Sequence, residues 1–155
     1  MRVYLFFLLS LICLNNDLNA QDYDWSESKK SEFKQDTAQV EQSVRVMLDK
    51  DYSTYGMIEA SRYLEQGYDK LLNKYYKVLL NILNDENKEL LRMSQRNWIS
   101  LRDSEKKLIW GMKNQTYEAS RGGTIWNVIA AGADADITRR RVFELYDLLM
   151  FSTLN

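Results

Sequence analysis

The groups in this sequence that could do chemistry are polar side chains standing at core-facing spacings. Asp69 and Asn73 lie four residues apart beside an apolar run, and Gln95, Trp98 and Arg102 fall at i, i+3 and i+7. Each set therefore shares one face of a helix. Arg139-Arg140-Arg141 follows, with Glu144 one turn after Arg140 and three residues after Arg141. Asp69, Asn73, Gln95, Arg102 and one of these arginines, Arg141 foremost, are expected to form a buried or half-buried network. Such groups demand partners, since an unsatisfied buried polar group costs on the order of 1–3 kcal/mol. Arginine suits the role through its planar, bidentate guanidinium. From spacing alone the set reads first as a register-fixing network between helices, and otherwise as the wall of a ligand pocket. A second constellation is Ser120-Arg121-Gly122-Gly123-Thr124, flanked by Tyr117 and Trp126. It offers one cation and two hydroxyls on a glycine-rich tip, suited to pairing with carboxylates, or it is an ordinary turn with a solvated arginine.

Other chemistry is excluded by what the chain lacks. It has no histidine and a single cysteine, Cys13. His-based acid–base catalysis, Ser-His-Asp and Cys-His arrangements and the common zinc sites are therefore out of reach. No catalytic residue, metal ligand set or cofactor is expected. The acid pairs Asp134/Asp136 and Asp85/Glu86 fall in expected loops and caps, where turn chemistry explains them better than glycosidase catalysis. Lys plus Arg is 21 against 22 Asp plus Glu, a net charge of -1 that gives no clustered positive field for nucleic acid.

These side chains need elements to position them, and the chain can supply them. With 155 residues, 45% of them hydrophobic and 28% charged, the sequence suits one folded domain. There is no proline, which favours long uninterrupted helices. Residues 1–20 read as a secretory leader. Arg2 precedes the apolar run Val3 to Leu14, and a polar stretch then ends in the small residue Ala20. The run is short for a bilayer span. Cleavage after Ala20 gives a mature domain over residues 21–155 with no cysteine and no second membrane segment, in an exported setting, periplasmic or secreted. Its charge is unchanged, because the leader removes Arg2 and Asp17 together.

Four helical stretches follow from the periodicity. Residues 26–50 carry the loose stripe Phe33, Val40, Val44, Met47 and Leu48, with fraying expected before Phe33. A break is expected over Asp49–Thr54. The second stretch is clearer: Leu64, Tyr68, Leu71, Leu72, Tyr75, Val78, Leu79, Ile82 and Leu83 mark one buried face. Its tyrosines, with Tyr76, suit a core edge. Asn84-Asp85-Glu86-Asn87 supplies a turn and an acidic first helical turn. The third stretch is expected to bury Leu90, Leu91, Ser94, Trp98, Leu101, Leu108 and Met112. Gly122-Gly123 marks a loop, Ile125–Ala131 reads as a helical turn or an extended segment, and Gly132–Asp136 as a further loop. A last helix then runs from Asp136 or Thr138 through Phe151, opened by the arginine triplet. The expected fold is all-α, a small helical bundle built on a long antiparallel hairpin of the second and third helices.

Several segments together resemble the LprI-like lysozyme-inhibitor domain, a family of small exported bacterial proteins. They are Gly56-Met57 with Ala60, Tyr68-Asp69 with Asn73 and Tyr75, and Gln95, Trp98, Arg102 and Asp103. Gly122-Gly123 and Thr138–Leu145 complete the order. The resemblance spans roughly residues 54–150. Members of that family commonly carry cysteines near the positions of Ala60 and Lys106, absent here. Packing and polar contacts must do what a disulfide would otherwise do.

What the resemblance implies is a protein-binding module that inhibits lysozyme-type muramidases by occluding the active-site cleft. The Ser120–Thr124 loop would be the contact, with Arg121 facing a carboxylate and the flanking aromatics giving anchor area. The alternative is a non-inhibitory envelope adaptor that binds peptidoglycan or peptide through the polar helix face.

Overall fold

The computed structural model describes the backbone of residues 3–152 and the side chains of residues 25–152. The side chains of the leader, residues 1–20, lie outside the described residues. Four helices follow in order: α1 (Val3–Lys50), α2 (Thr54–Ile82), α3 (Asp85–Ala119) and α4 (Ile125–Ser152). Among the described residues there is no strand. No described helix is long and apolar enough to cross a membrane.

The turns are built by the residue types that favour them. The break after Lys50 ends at Ser53, whose extended backbone and hydroxyl cap α2 by accepting from Gly56 N at 3.1 Å. Asp51 in turn accepts from Ser53 N at 2.9 Å. Between α2 and α3, Asn84 is the N-cap and accepts from Asn87 N at 2.9 Å, with Asp85 and Glu86 in the first turn. Helices joined by so short a turn run antiparallel, and the pair forms the expected hairpin.

The packing inside that hairpin adds something the periodicity does not show. The most extensive helix contact is between α2 and α4, while α2 and α3 touch each other little. Tyr68 meets Phe143, and Tyr75 meets Tyr146, so α2 and α4 run in the same direction along the centre. α1 lies against one side of this pair and α3 against the other. Buried alanines, Ala60 on α2 and Ala130, Ala131 and Ala135 on α4, suit close approach of the central helices. Further along, Phe33 of α1 stacks on Tyr146 with ring centroids 3.8 Å apart and meets Tyr75 and Phe143 edge-on at 5.2 Å each.

Four expectations are corrected. Gly132–Asp136 is not a loop, and Ile125–Ala131 is neither a lone turn nor an extended segment; both belong to the unbroken α4. One glycine in a helix costs about 1 kcal/mol relative to alanine, and burial of the surrounding alanines outweighs it. The arginine triplet therefore lies in mid-helix rather than opening it. The third correction concerns α3. Leu90, Leu101, Leu108 and Met112 are each more than half exposed, and its buried residues are Leu91 and Gln95. Apart from Leu91 the inward face of α3 is largely polar, and Leu90, Leu101 and Leu108 face outward. Fraying before Phe33 is not seen either, since α1 is helical through that stretch.

α1 is fastened mainly by charge and hydroxyl groups. Tyr68 and Tyr75 are fully buried, deeper than a core edge. Their hydroxyls donate to Glu41 Oε1 at 2.8 Å and Asp36 Oδ2 at 2.7 Å. Lys74 bridges Asp36 at 2.5 Å and Glu32 at 2.6 Å. Hydrogen bonds from Lys29 and then Lys74 hold the Glu32 carboxyl below its ordinary range. Burial, reinforced by Glu41, pushes the Tyr68 hydroxyl up to about 12, and burial with Asp36 raises Tyr75 as well.

Two outcomes follow from this packing. A raised tyrosine pKa means that the folded state keeps the proton which the unfolded chain loses near pH 10. Stability measured by urea denaturation is therefore expected to be level below pH 10 and to fall as pH rises towards 12. In the Tyr68→Phe/Tyr75→Phe double variant that fall becomes shallower. Separately, a Cβ at Gly67 would lie 2.6 Å from Val40 Cγ1 of α1. Gly67→Ala is expected to lower the melting temperature despite alanine's better helix propensity, at a cost of about 1–3 kcal/mol. Adding Val40→Ala should recover most of the loss.

Candidate functional site

The two constellations read from the sequence occupy different parts of the hairpin. The polar set lies midway along it. Arg141 is buried and reaches from α4 to α3, where its Nε donates to Gln95 Oε1 at 3.1 Å and its Nη2 to Ser94 Oγ at 3.0 Å. Nη1 pairs with Glu144 at 2.8 Å, and the guanidinium lies 5.8 Å from the centroid of Trp98. Arg102 approaches the same ring at 5.3 Å while pairing with Asp103 at 2.8 Å. A cation buried this way is tolerated because every face of the guanidinium has a partner.

The expected single network is in fact two. Asp69 and Asn73 are exposed on α2, where Asn73 Nδ2 donates to the Asp69 carbonyl at 2.8 Å and to its carboxylate at 3.3 Å. Neither bonds across to α3. Yet Asp69, Asn73, Gln95, Trp98 and Arg102 all line one groove of about 420 Å³ between α2 and α3, joined by Arg92 and Arg96. Arg141 stands behind it, holding Gln95 and Trp98 in place. Its neighbours take other duties. Arg139 pairs with Glu41 of α1 at 3.1 Å, and the exposed Arg140 with Asp136 at 3.5 Å.

A further tie escaped the sequence reading. Lys106 forms ion pairs with Glu65 of α2 and with Asp134 of α4, the latter at 3.3 Å. It thus joins three helices at a position where the resemblance would place half of a disulfide. Two acids of opposite helices converging on one lysine leave no periodic trace in the sequence.

The second constellation is the α3–α4 turn. Arg121 N donates to Glu118 O at 3.2 Å and Gly122 N to Tyr117 O at 2.8 Å, the paired bonds of a Schellman C-cap. That motif needs a left-handed residue directly after the cap. Here it is Arg121, with φ 59°, the one described non-glycine residue at positive φ. Gly122 and Gly123 follow at φ 110° and 119°, conformations that side chains rarely adopt. Ser120 Oγ donates within the cap to Thr116 O at 2.7 Å and accepts from Trp126 Nε1 at 2.8 Å. The Thr124 hydroxyl lies 3.3 Å from that of Thr54 at the start of α2. The turn is thereby pinned from both sides. The Arg121 side chain is exposed and makes no ion pair or hydrogen bond among the described residues. Exposed Tyr117 and Ile125 flank it, and Met112, Trp126 and Ile129 share an adjoining cleft.

Among the described residues no group of three or more acids, histidines or cysteines is placed to hold a metal ion. What the two sites present is recognition chemistry: a rigid cationic tip with apolar flanks, and a groove lined with guanidinium and amide groups.

The family described as lysozyme inhibitor LprI matches residues 48–145, and the chain belongs to it. No match was found among curated proteins or among solved structures.

The Arg141 anchor makes a direct prediction. Arg141→Ala is expected to cost about 1–3 kcal/mol in denaturant unfolding, since it strips a partner from buried Gln95 and a cation from half-buried Trp98. Arg141→Lys should recover only part of this, because an ammonium lacks the fork that reaches Gln95, Ser94 and Glu144 together.

Proposed function

We propose that this protein binds a lysozyme-type muramidase and inhibits it by seating the Ser120–Thr124 loop in the active-site cleft. The observation that carries the reading is Arg121, a residue with a side chain held left-handed at a position that favours glycine. An ordinary C-cap would be better served by glycine, by about 1 kcal/mol. Keeping a long cation there, exposed and unpaired among the described residues, suits a group kept for something outside the molecule.

The chemistry matches the target class. Lysozyme-type enzymes work with two carboxylates flanking the scissile bond. A guanidinium offers paired donors to such a carboxylate and competes with substrate for the charge. The exposed side chains of Tyr117, Ile125 and Ile129 supply apolar area around the cation, the arrangement expected of an interface centre. A loop already pinned by the Trp126–Ser120 and Thr124–Thr54 contacts loses little freedom on docking. The reading also requires export. The leader over residues 1–20, cleaved after Ala20, would deliver residues 21–155 to the periplasm or the medium, where muramidases act.

The test is a titration of residues 21–155 against several lysozyme classes, following cell-wall lysis. Saturable inhibition near one-to-one is expected with at least one class, and its absence with all of them, from folded protein, would overturn the reading. Arg121→Gly separates the two roles of the residue. It should raise stability by about 1 kcal/mol while weakening inhibition about ten-fold or more, the loss of one charge-assisted contact. Inhibition unchanged in Arg121→Gly would remove the loop from the interface.

A further inference from the structure

The face of α3 turned away from α2 carries an apolar line that the described helices leave uncovered. Leu90, Leu101, Leu108 and Met112 follow one another at steps of eleven, seven and four residues. At 3.6 residues per turn all four fall within about 20° of one line. Each is more than half exposed. A stripe of this spacing is the face a helix shows to a packing partner.

α4 widens the line at both ends. Near Leu90, its Leu148 and Phe151 join Ile82 around an apolar cleft of about 670 Å³ that reaches Ser94. Near Met112, Ile129 of α4 shares a second cleft with Ile109. Ile82, Ile129, Leu148 and Phe151 are between 44% and 66% exposed. With the four α3 residues they present on the order of 900 Å², more than the largest patch of an ordinary monomer and close to one partner's share of a stable interface.

Area and symmetry identify the occupant as a second copy of this chain. Leu101 has Leu90 eleven residues before it and Met112 eleven residues after it. A two-fold axis through Leu101 lays α3 antiparallel on its twin and seats Met112 of each copy on Leu90 of the other. The same register puts Leu108 opposite Ser94, a small residue that lines the larger cleft. The projecting end of one copy thus meets the hollow end of the other, twice. The charges agree with this placement. Arg141 bonds Gln95 and Lys106 pairs with Asp134, so Leu101 is level with the middle of that stretch of α4. Asp136 and Arg140 flank this level and pair with each other at 3.5 Å. The two-fold sets the two pairs side by side in opposite senses, each arginine towards the other copy's aspartate.

We propose that the protein forms a symmetric dimer through α3 and α4, antiparallel about Leu101. The dimer does not depend on the muramidase reading. Ile129 borders both surfaces, but Tyr117 lies about 140° around α3 from Met112, with Arg121 beyond it. The antiparallel arrangement therefore carries one Arg121 tip at each end.

The experiment is sedimentation velocity on residues 21–155 across micromolar concentrations. The expected species has twice the chain's mass and dissociates on dilution. Leu101→Asp sets two carboxylates face to face on the axis and should weaken association about a hundred-fold or more. Its circular dichroism should stay that of the parent, because Leu101 is exposed in the single chain. Cysteine tests the register, since residues 21–155 contain none. Leu101→Cys should form a disulfide-linked dimer under mild oxidation, whereas Lys107→Cys, about 120° away around the helix, should not. A chain that stays monomeric, a dimer that survives Leu101→Asp, or equal cross-linking of the two cysteine variants overturns the proposal. So does a monomer that takes up oleate in the cleft, which gives the face to an amphiphile. A monomer whose inhibition of lysis is lost in Leu101→Asp gives the face to the muramidase and overturns it equally. An intact dimer that inhibits no lysozyme supports the dimer and sinks the muramidase reading alone.

Discussion

One buried cation sets the geometry of half of this molecule. Arg141 sits on the inner face of α4, and a guanidinium in that position must be surrounded by acceptors and a π-face. Apart from Glu144 of α4 itself, those groups come from α3, whose inward face carries Ser94, Gln95 and Trp98 beside the buried Leu91. The consequence runs outward in both directions. α3 docks on α4 through polar contacts and touches α2 little, which leaves a groove between the two arms of the hairpin. Leu90, Leu101 and Leu108 of α3 face solvent, and of its leucines Leu91 alone enters the core.

The opposite side of the central pair solves a similar problem with different chemistry. Among the described residues α1 buries only Phe33 outright, with Trp25 and Val40 packed beside it, yet it covers two fully buried tyrosines. Their hydroxyls need acceptors, and Glu41 and Asp36 provide them. The aromatic rings give depth while the carboxylates fix register, because a slip of one residue along α1 would carry both acids off their hydroxyls.

Much of this was legible in the sequence, and the places where it was not share a cause. The all-α class, the α2 stripe, the Ser53 and Asn84 turns and the Gly122-Gly123 loop follow from local rules of periodicity and capping. The same local rules misread α4, because Gly132 and two nearby aspartates look like a loop until the burial of Ala130, Ala131 and Ala135 is known. They also misplaced α3, since its leucines recur at helical spacing whichever way they face. Periodicity gives a stripe and not its direction; direction comes from the neighbouring helix, here from Arg141. The polar residues of the groove stood out by type and spacing. How they divide into two sets of bonds, and the convergence of Glu65 and Asp134 on Lys106, depend on which helices meet and had no signal along the chain.

The Lys106 junction gives the hairpin a property that a covalent clip would not. A disulfide between the arms would need an oxidant to form and would hold its loop closed until reduced. An ammonium between two carboxylates forms as fast as the helices meet and reopens without chemistry. It loosens with ionic strength and ignores thiols. The tie between the arms is therefore indifferent to whether the medium is reducing or oxidising.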